Sequence, residues 1–153
     1  MTPTQKLIEL GITLPVPMAP VATYVPVSIA GSLVTVSGQL PAIDGKVAVT
    51  GKLGLNVSLE EGQHAARLCL INVLAQLNAA LPNGLASITK IIRLGGFIAA
   101  TPDFTQHAVV MNGASDLAVA VFGDIGRHAR STIGVPSLPL DAAVEVEGLF
   151  YLG

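Results

Sequence analysis

Two stretches with a helical period, separated by one long apolar strand pattern, constrain what this chain can fold into. The first opens at Ser58, with Glu61 three residues on to complete a capping box. At about 100° per residue, Ala66, Cys69, Leu70, Val73 and Leu77 share one stripe, and Glu60, Gln63, His64, Arg67 and Asn78 lie on the other face. The second is predicted to start at Thr101-Pro102-Asp103 with proline at the first helical position. Its stripe is Val110, Met111, Ala114, Leu117, Ala118 and Val121; Asn112 falls off it, and Gly123 ends the helix. Between the two, Ser87 to Ala99 reads as a buried strand in which Gly95-Gly96 marks a bulge or a close approach.

The remaining strands alternate with period two. Tyr24–Ile29 and Ser32–Ser37 flank Ala30-Gly31, and a two-residue turn there sets Tyr24 opposite Ser37. Pro26 lacks an N–H, so this first strand is expected either at an edge or bulged there. A short strand is expected near Lys46–Val49 after the Asp44-Gly45 turn. Near the end, Arg130, Thr132 and Gly134 alternate with Ser131, Ile133 and Val135, and Glu145 and Glu147 alternate with Val144, Val146 and Phe150. Pro136 and Pro139 interrupt pairing between them. An antiparallel hairpin centred near Ser137–Leu138 then sets Arg130 opposite Glu145 and Thr132 opposite Ala143. That pair reads either as a polar notch for a ligand or as an exposed salt bridge worth about 0–1 kcal/mol.

The order β-β-β-α-β-α-β-β is not a Rossmann alternation. It predicts an α+β fold: one mixed, mainly antiparallel sheet with both helices on one face. Residues 1–153 make a single domain, in which 1–16 supply a short accessory helix, Thr4 to Leu10, and the start of a proline-rich connector running from Leu14 to Pro20. The uncovered face is expected to hold Tyr24, Ser37, Arg130, Thr132 and Glu145. Only 12% of residues are charged, 51% are apolar and the mean hydropathy is +0.66, so little charge covers a monomer. No apolar run reaches the ~18 residues of a membrane span, so a soluble oligomer with a pocket in its subunit interface is expected. A net charge of −2 without a basic patch makes nucleic acid an unlikely partner. Cys69 stands alone, and the first residues lack a long apolar secretion signal; the expected location is the cytoplasm.

Several separated segments together resemble the Rid (YjgF-like) family of reactive-intermediate imine and enamine deaminases. They are Thr23-Tyr24, Val34 to Pro41 with its Ser-Gly-Gln, Asp103-Phe104 with Asn112, and Ala129-Arg130-Ser131 followed by Glu145-Val146-Glu147. The resemblance spans roughly residues 17 to 152. It implies a chorismate-mutase-like fold, a homotrimer and clefts between subunits. It further implies that Arg130 binds a substrate carboxylate, that Tyr24, Ser37, Gly38, Asn112 and Thr132 line the cleft, and that Glu145 is catalytic with Arg130. The chain departs from the family pattern at Thr132, where cysteine is usual, at His128 and Thr23, where proline is usual, and in its extra N-terminal helix.

The chemistry that the resemblance implies suits these residue types. An arginine fork orients a 2-imino or 2-enamino acid, either Glu145 or backbone carbonyls near Arg130 orient a water, and Glu145 moves protons to the leaving ammonia. No metal or organic cofactor is required, because a protonated imine is already electrophilic. His64 and His107 lack paired ligand spacing, His128 reads as a rim or interface residue, Cys69 as packing, and Ser37 as a hydrogen-bond donor before a nucleophile. The alternatives are a trimer that binds small carboxylates without turnover and, with least support, a ribonuclease.

Overall fold

The computed structural model describes every residue except Met18, Pro20 and Val21, so those positions of the proline-rich connector lie outside it. The chain begins with α1 (Pro3–Glu9), capped by Thr2 in a capping box with Gln5. Its Leu7 is buried in the main core, so the extra helix is packed in and contributes to that core. A five-stranded sheet follows the order β1-β2-β7-β5-β6, built from β1 (Val27–Ala30), β2 (Leu33–Gln39), β5 (Ile88–Ala99), β6 (Ala129–Val135) and β7 (Val144–Leu152). A small hairpin of β3 (Ala42–Ile43) and β4 (Lys46–Val47) turns at Asp44-Gly45. Both turn residues have positive φ, which a tight two-residue turn of the I′ kind requires.

The long helix α2 (Leu59–Ala80) starts in the predicted capping box, Ser58 with Glu61, and its predicted stripe is buried. The other long helix, α3 (His107–Phe122), buries the whole predicted stripe from Val110 to Val121 but begins later than predicted. Pro102 lies in a turn closed by Phe104 N–H donating to the Thr101 carbonyl at 3.1 Å. Proline suits a turn as well as a helix start, and Gln106 is the residue that precedes α3. By length and composition His107–Gly126 could span a membrane, yet its apolar stripe packs into the core as in a globular core helix.

The first hairpin turns at Gly31-Ser32, one residue later than predicted, so Val27 pairs with Val36 and Ala30 with Leu33. Gly31 has φ +60°, and the first central position of a II′ turn demands that conformation. The second hairpin does not form. β6 runs parallel to β5, reached through α3, and β7 runs antiparallel to β5 on its other side. Arg130 therefore pairs with Leu94 and Thr132 with Gly96, while Glu145 pairs with Phe97. The physical reason is the central strand. β5 is buried at Leu94, Gly95, Gly96, Ile98 and Ala99, so the N–H and C=O groups on both of its edges need partners, and β6 and β7 each supply one ladder. The chain passes the end of β5 through a tight turn with Leu140 and Asp141 at positive φ. Gly95-Gly96 holds no bulge; the register shifts fall nearer the start of β5, and Gly96 instead admits Met111 of α3.

A glycine also sets the distance between the long helices. A Cβ on Gly113 of α3 would overlap the backbone carbonyl of Gln63 in α2. Main chain cannot rotate away as a side chain can. Gly113→Ala should therefore lower stability, because a crowding cost of about 1–3 kcal/mol exceeds the ~1 kcal/mol that alanine gains in helix propensity. Thermal unfolding checks this; a raised Tm would show that the helices have room to part.

Candidate active site

The predicted site residues fall into two groups. On β7 the core-facing residues are Val144, Val146 and Phe150, so Glu145 and Glu147 point to the opposite, uncovered face. On β6 the alternation is anchored by the pairing with β5: Thr132 lies beside Gly96 and Gly134 faces the His107 ring, both toward α3. Arg130 and Thr132 thus face α3, and only Glu145 of the three lies on the open face. The notch with Arg130 opposite Glu145, and the salt bridge between them, are not present.

The first group occupies the groove between β6 and α3. The Arg130 guanidinium donates from Nη1 to Ser115 Oγ at 3.0 Å and from Nη2 to the Ala108 carbonyl at 3.2 Å. Ala108 and Ser115 lie four residues before and three after Asn112, so all three share the helix face that the guanidinium meets. Among the described residues, ion pairs join Lys6 to Glu9, Arg93 to Glu147 and Arg127 to Asp124, and none involves Arg130. A guanidinium has more N–H donors than its two helix contacts use. Thr132, two residues along the same strand face, has a buried hydroxyl with no partner. Nearby, His128 bonds Ser115 Oγ through Nε2 at 2.8 Å and the Gly126 carbonyl through Nδ1 at 2.6 Å. Ser115 went unnoticed in the sequence, where its only signal was its place one turn beyond Asn112.

The second group centres on Gly38, which meets Glu145. Gly38 lies directly against the Glu145 carboxylate, and a side chain at position 38 would overlap it. This glycine falls where the β2–β7 register shifts between Val36 and Gln39. The irregularity is tied down from both sides. Ser37 Oγ donates to the Val25 carbonyl at 2.8 Å, next to Tyr24, and Gln39 Nε2 donates to the Ser37 carbonyl at 3.1 Å. Gln39 is itself buried and accepts from Gln76 of α2 at 3.5 Å. Tyr24 is 53% exposed. Burial pushes the Glu145 carboxyl above its ordinary value, and the Glu147 charge pushes it further in the same direction. That is the direction wanted in a group that both takes and returns protons near neutral pH.

A hollow of about 530 Å³ opens at the far end of β6, walled by Lys52, Thr101, Phe104, His107, Gly134 and Pro136. Arg130, Asn112 and Glu145 do not line it, so it is separate from the arginine groove. No three His, Cys, Asp or Glu side chains among the described residues are grouped to hold a metal ion. Cys69 is buried, with its thiol raised by burial and then by Glu145, and it donates weakly to the Val144 carbonyl.

Comparison with known proteins gives a consistent assignment. Residues 4–152 match the family model described as "YjgF/chorismate_mutase-like, putative endoribonuclease". Protein TCP17 of Trypanosoma cruzi is 45% identical over 148 residues, covering 96% of this chain and 92% of TCP17. The crystal structure of Atu1372 from Agrobacterium tumefaciens, a protein of unknown function, superposes with a TM-score of 0.91 at 45% identity, covering 99% of this chain and 92% of that one. Escherichia coli TdcF, solved with bound serine, gives a TM-score of 0.64 at 27% identity, covering 90% and 94% of the two chains. An arginine groove on one side of the sheet, a glycine-cradled glutamate on the other and a family match over nearly the whole length lead to one conclusion: the chain belongs to the YjgF/chorismate mutase-like (Rid) family.

Proposed function

We propose that the protein hydrolyses reactive 2-imino or 2-enamino acids to 2-oxo acids and ammonia, in clefts between the subunits of a cytoplasmic homotrimer. The observation that carries this reading is Arg130. Its guanidinium is held against the face of α3 that carries Asn112, is not among the ion pairs of the described residues, and retains donors for a ligand carboxylate. A bidentate fork of this kind holds a planar carboxylate in one orientation. Glu145, with its raised pKa, supplies a proton-handling group, but it lies on the other face of the same chain. A second copy supports both needs. Packed on the open face, it covers Leu33, Ile133 and Tyr151, each more than 40% exposed, and brings one chain's Glu145 and Gly38 toward another's Arg130 and Asn112. That TdcF was solved with serine, itself a carboxylate-bearing molecule, fits the ligand class.

In the reaction, Arg130 fixes the carboxylate and the imine carbon is then set for attack by water that Glu145 orients. Water adds to the C=N carbon, Glu145 carries its proton to the nitrogen, and the tetrahedral adduct expels ammonia to leave the 2-oxo acid. Light scattering should give a trimer mass at micromolar concentration; a monomer there would remove the shared cleft. Ammonia release from imino acids generated in situ by an amino-acid oxidase should be accelerated by the protein and not by Arg130→Ala. Binding of the carboxylate without acceleration would favour a trimer that binds small carboxylates without turnover. The endoribonuclease description of the family draws little support from this chain, whose net charge is −2 and aromatic content 4%.

A further inference from the structure

We propose that Ser115 and His128 are positioning residues that fix the orientation of the Arg130 guanidinium for carboxylate recognition. The inference rests on Arg130 being the carboxylate anchor and adds the device that aims it. His128 Nδ1 lies 2.6 Å from the Gly126 carbonyl oxygen. A carbonyl only accepts, so the proton of the neutral ring is on Nδ1. Nε2, 2.8 Å from Ser115 Oγ, is then the acceptor, and the serine hydroxyl has one proton to give it. That leaves the serine lone pairs for Arg130 Nη1 at 3.0 Å. The donors therefore run in one direction, from Arg130 to Ser115 to His128, and His128 in turn donates to Gly126.

The surroundings keep this arrangement in place. Gly126 is buried so close to α3 that a Cβ would overlap the Ala118 carbonyl, which fixes the acceptor of the Nδ1 proton. Burial lowers the His128 pKa, the Arg130 and Lys90 charges lower it further, and the Gly126 carbonyl acts in the opposite direction; the net effect favours the neutral ring that can accept from Ser115. The Ala108 carbonyl holds the second guanidinium nitrogen. Three elements thus support the arginine: α3 directly through Ser115 and Ala108, the turn after α3 through the Gly126 carbonyl on His128, and the start of β6, which carries Arg130. A ligand meeting a guanidinium already aimed has less to order on binding.

The test uses pyruvate, a stable carboxylate probe, titrated into the full-length protein by calorimetry. Ser115→Ala and His128→Ala should each weaken binding by roughly three- to tenfold, the size of one lost hydrogen bond, whereas Ser115→Thr, which keeps the hydroxyl, should bind nearly as the unmodified protein does. In an Arg130→Ala background, Ser115→Ala should cost nothing further, since its effect acts through the arginine. Nitrogen-15 spectra of the unmodified protein should show His128 with its proton on Nδ1. If the unmodified protein and Arg130→Ala bind pyruvate alike, the anchor reading fails and this inference with it. If Arg130→Ala alone loses affinity, or Ser115→Ala weakens binding equally with and without Arg130, or the His128 proton is on Nε2, only the positioning role is overturned.

Discussion

Arg130→Ala should bind pyruvate or 2-oxobutanoate roughly ten- to a hundredfold more weakly than the unmodified protein, in line with the ~1.5–3 kcal/mol of a charge-assisted contact. Stability should change little. Arg130 has no carboxylate partner to abandon, and its two helix contacts are at the edge of the fold, where one strand lies beside β6. Arg130→Lys should recover part of the affinity and almost none of the turnover. It keeps a charge but cannot bond Ser115, Ala108 and a carboxylate in the one plane a guanidinium provides. The rival role, a structural bridge to Glu145, predicts that changing either residue damages the other; the two lie on different faces and on strands separated by β5. Equal affinity in all three proteins, or none in the unmodified one, would end the anchor role.

How much of this was legible in the sequence depends on how local each determinant is. The helix stripes from Ala66 to Leu77 and from Val110 to Val121 were legible because side-chain periodicity and burial are set along one element. The hairpin turn was legible only to within a residue, since Ala30-Gly31 and Gly31-Ser32 both offer the glycine; the need for positive φ at the first central position decides between them. The partner of β6 was not legible. Pro136 and Pro139 say that pairing stops, but the competition between β5 and β7 for that strand is settled by the burial of β5, a property of the whole sheet. Arg130 and Thr132 kept a common face, because strand alternation survives a wrong partner, whereas Asn112 was joined to them by the family resemblance alone. Glu145 lies on the open face as expected, but Arg130 and Thr132, expected beside it there, face α3 instead: alternation fixes relative faces within a strand and says nothing across strands. The Ser115–His128 contact spans 13 residues and joins a helix to the connection just before β6, so no periodic signal could carry it.

Glu145→Gln should reduce imine turnover by about a hundredfold or more, the usual worth of a positioned acid–base group, while leaving pyruvate affinity close to that of the unmodified protein. Gln preserves the shape that fits against Gly38, so loss of turnover with an intact trimer mass isolates the proton-handling role. The pH profile gives a second readout. Water activation needs the ionised carboxylate, so turnover should rise as pH climbs through the Glu145 pKa. Burial and then the Glu147 charge have moved that pKa upward from the ordinary value. Glu147→Gln removes the second cause. Losing that charge lowers the Glu145 pKa, so the acidic limb of the profile should move to lower pH in Glu147→Gln and disappear in Glu145→Gln. Should the limb stay in place when Glu147 is neutralised, the titrating group is not Glu145. Should turnover survive Glu145→Gln, the water must be oriented by backbone carbonyls near Arg130, and the open-face carboxylate would be left with an interface role alone.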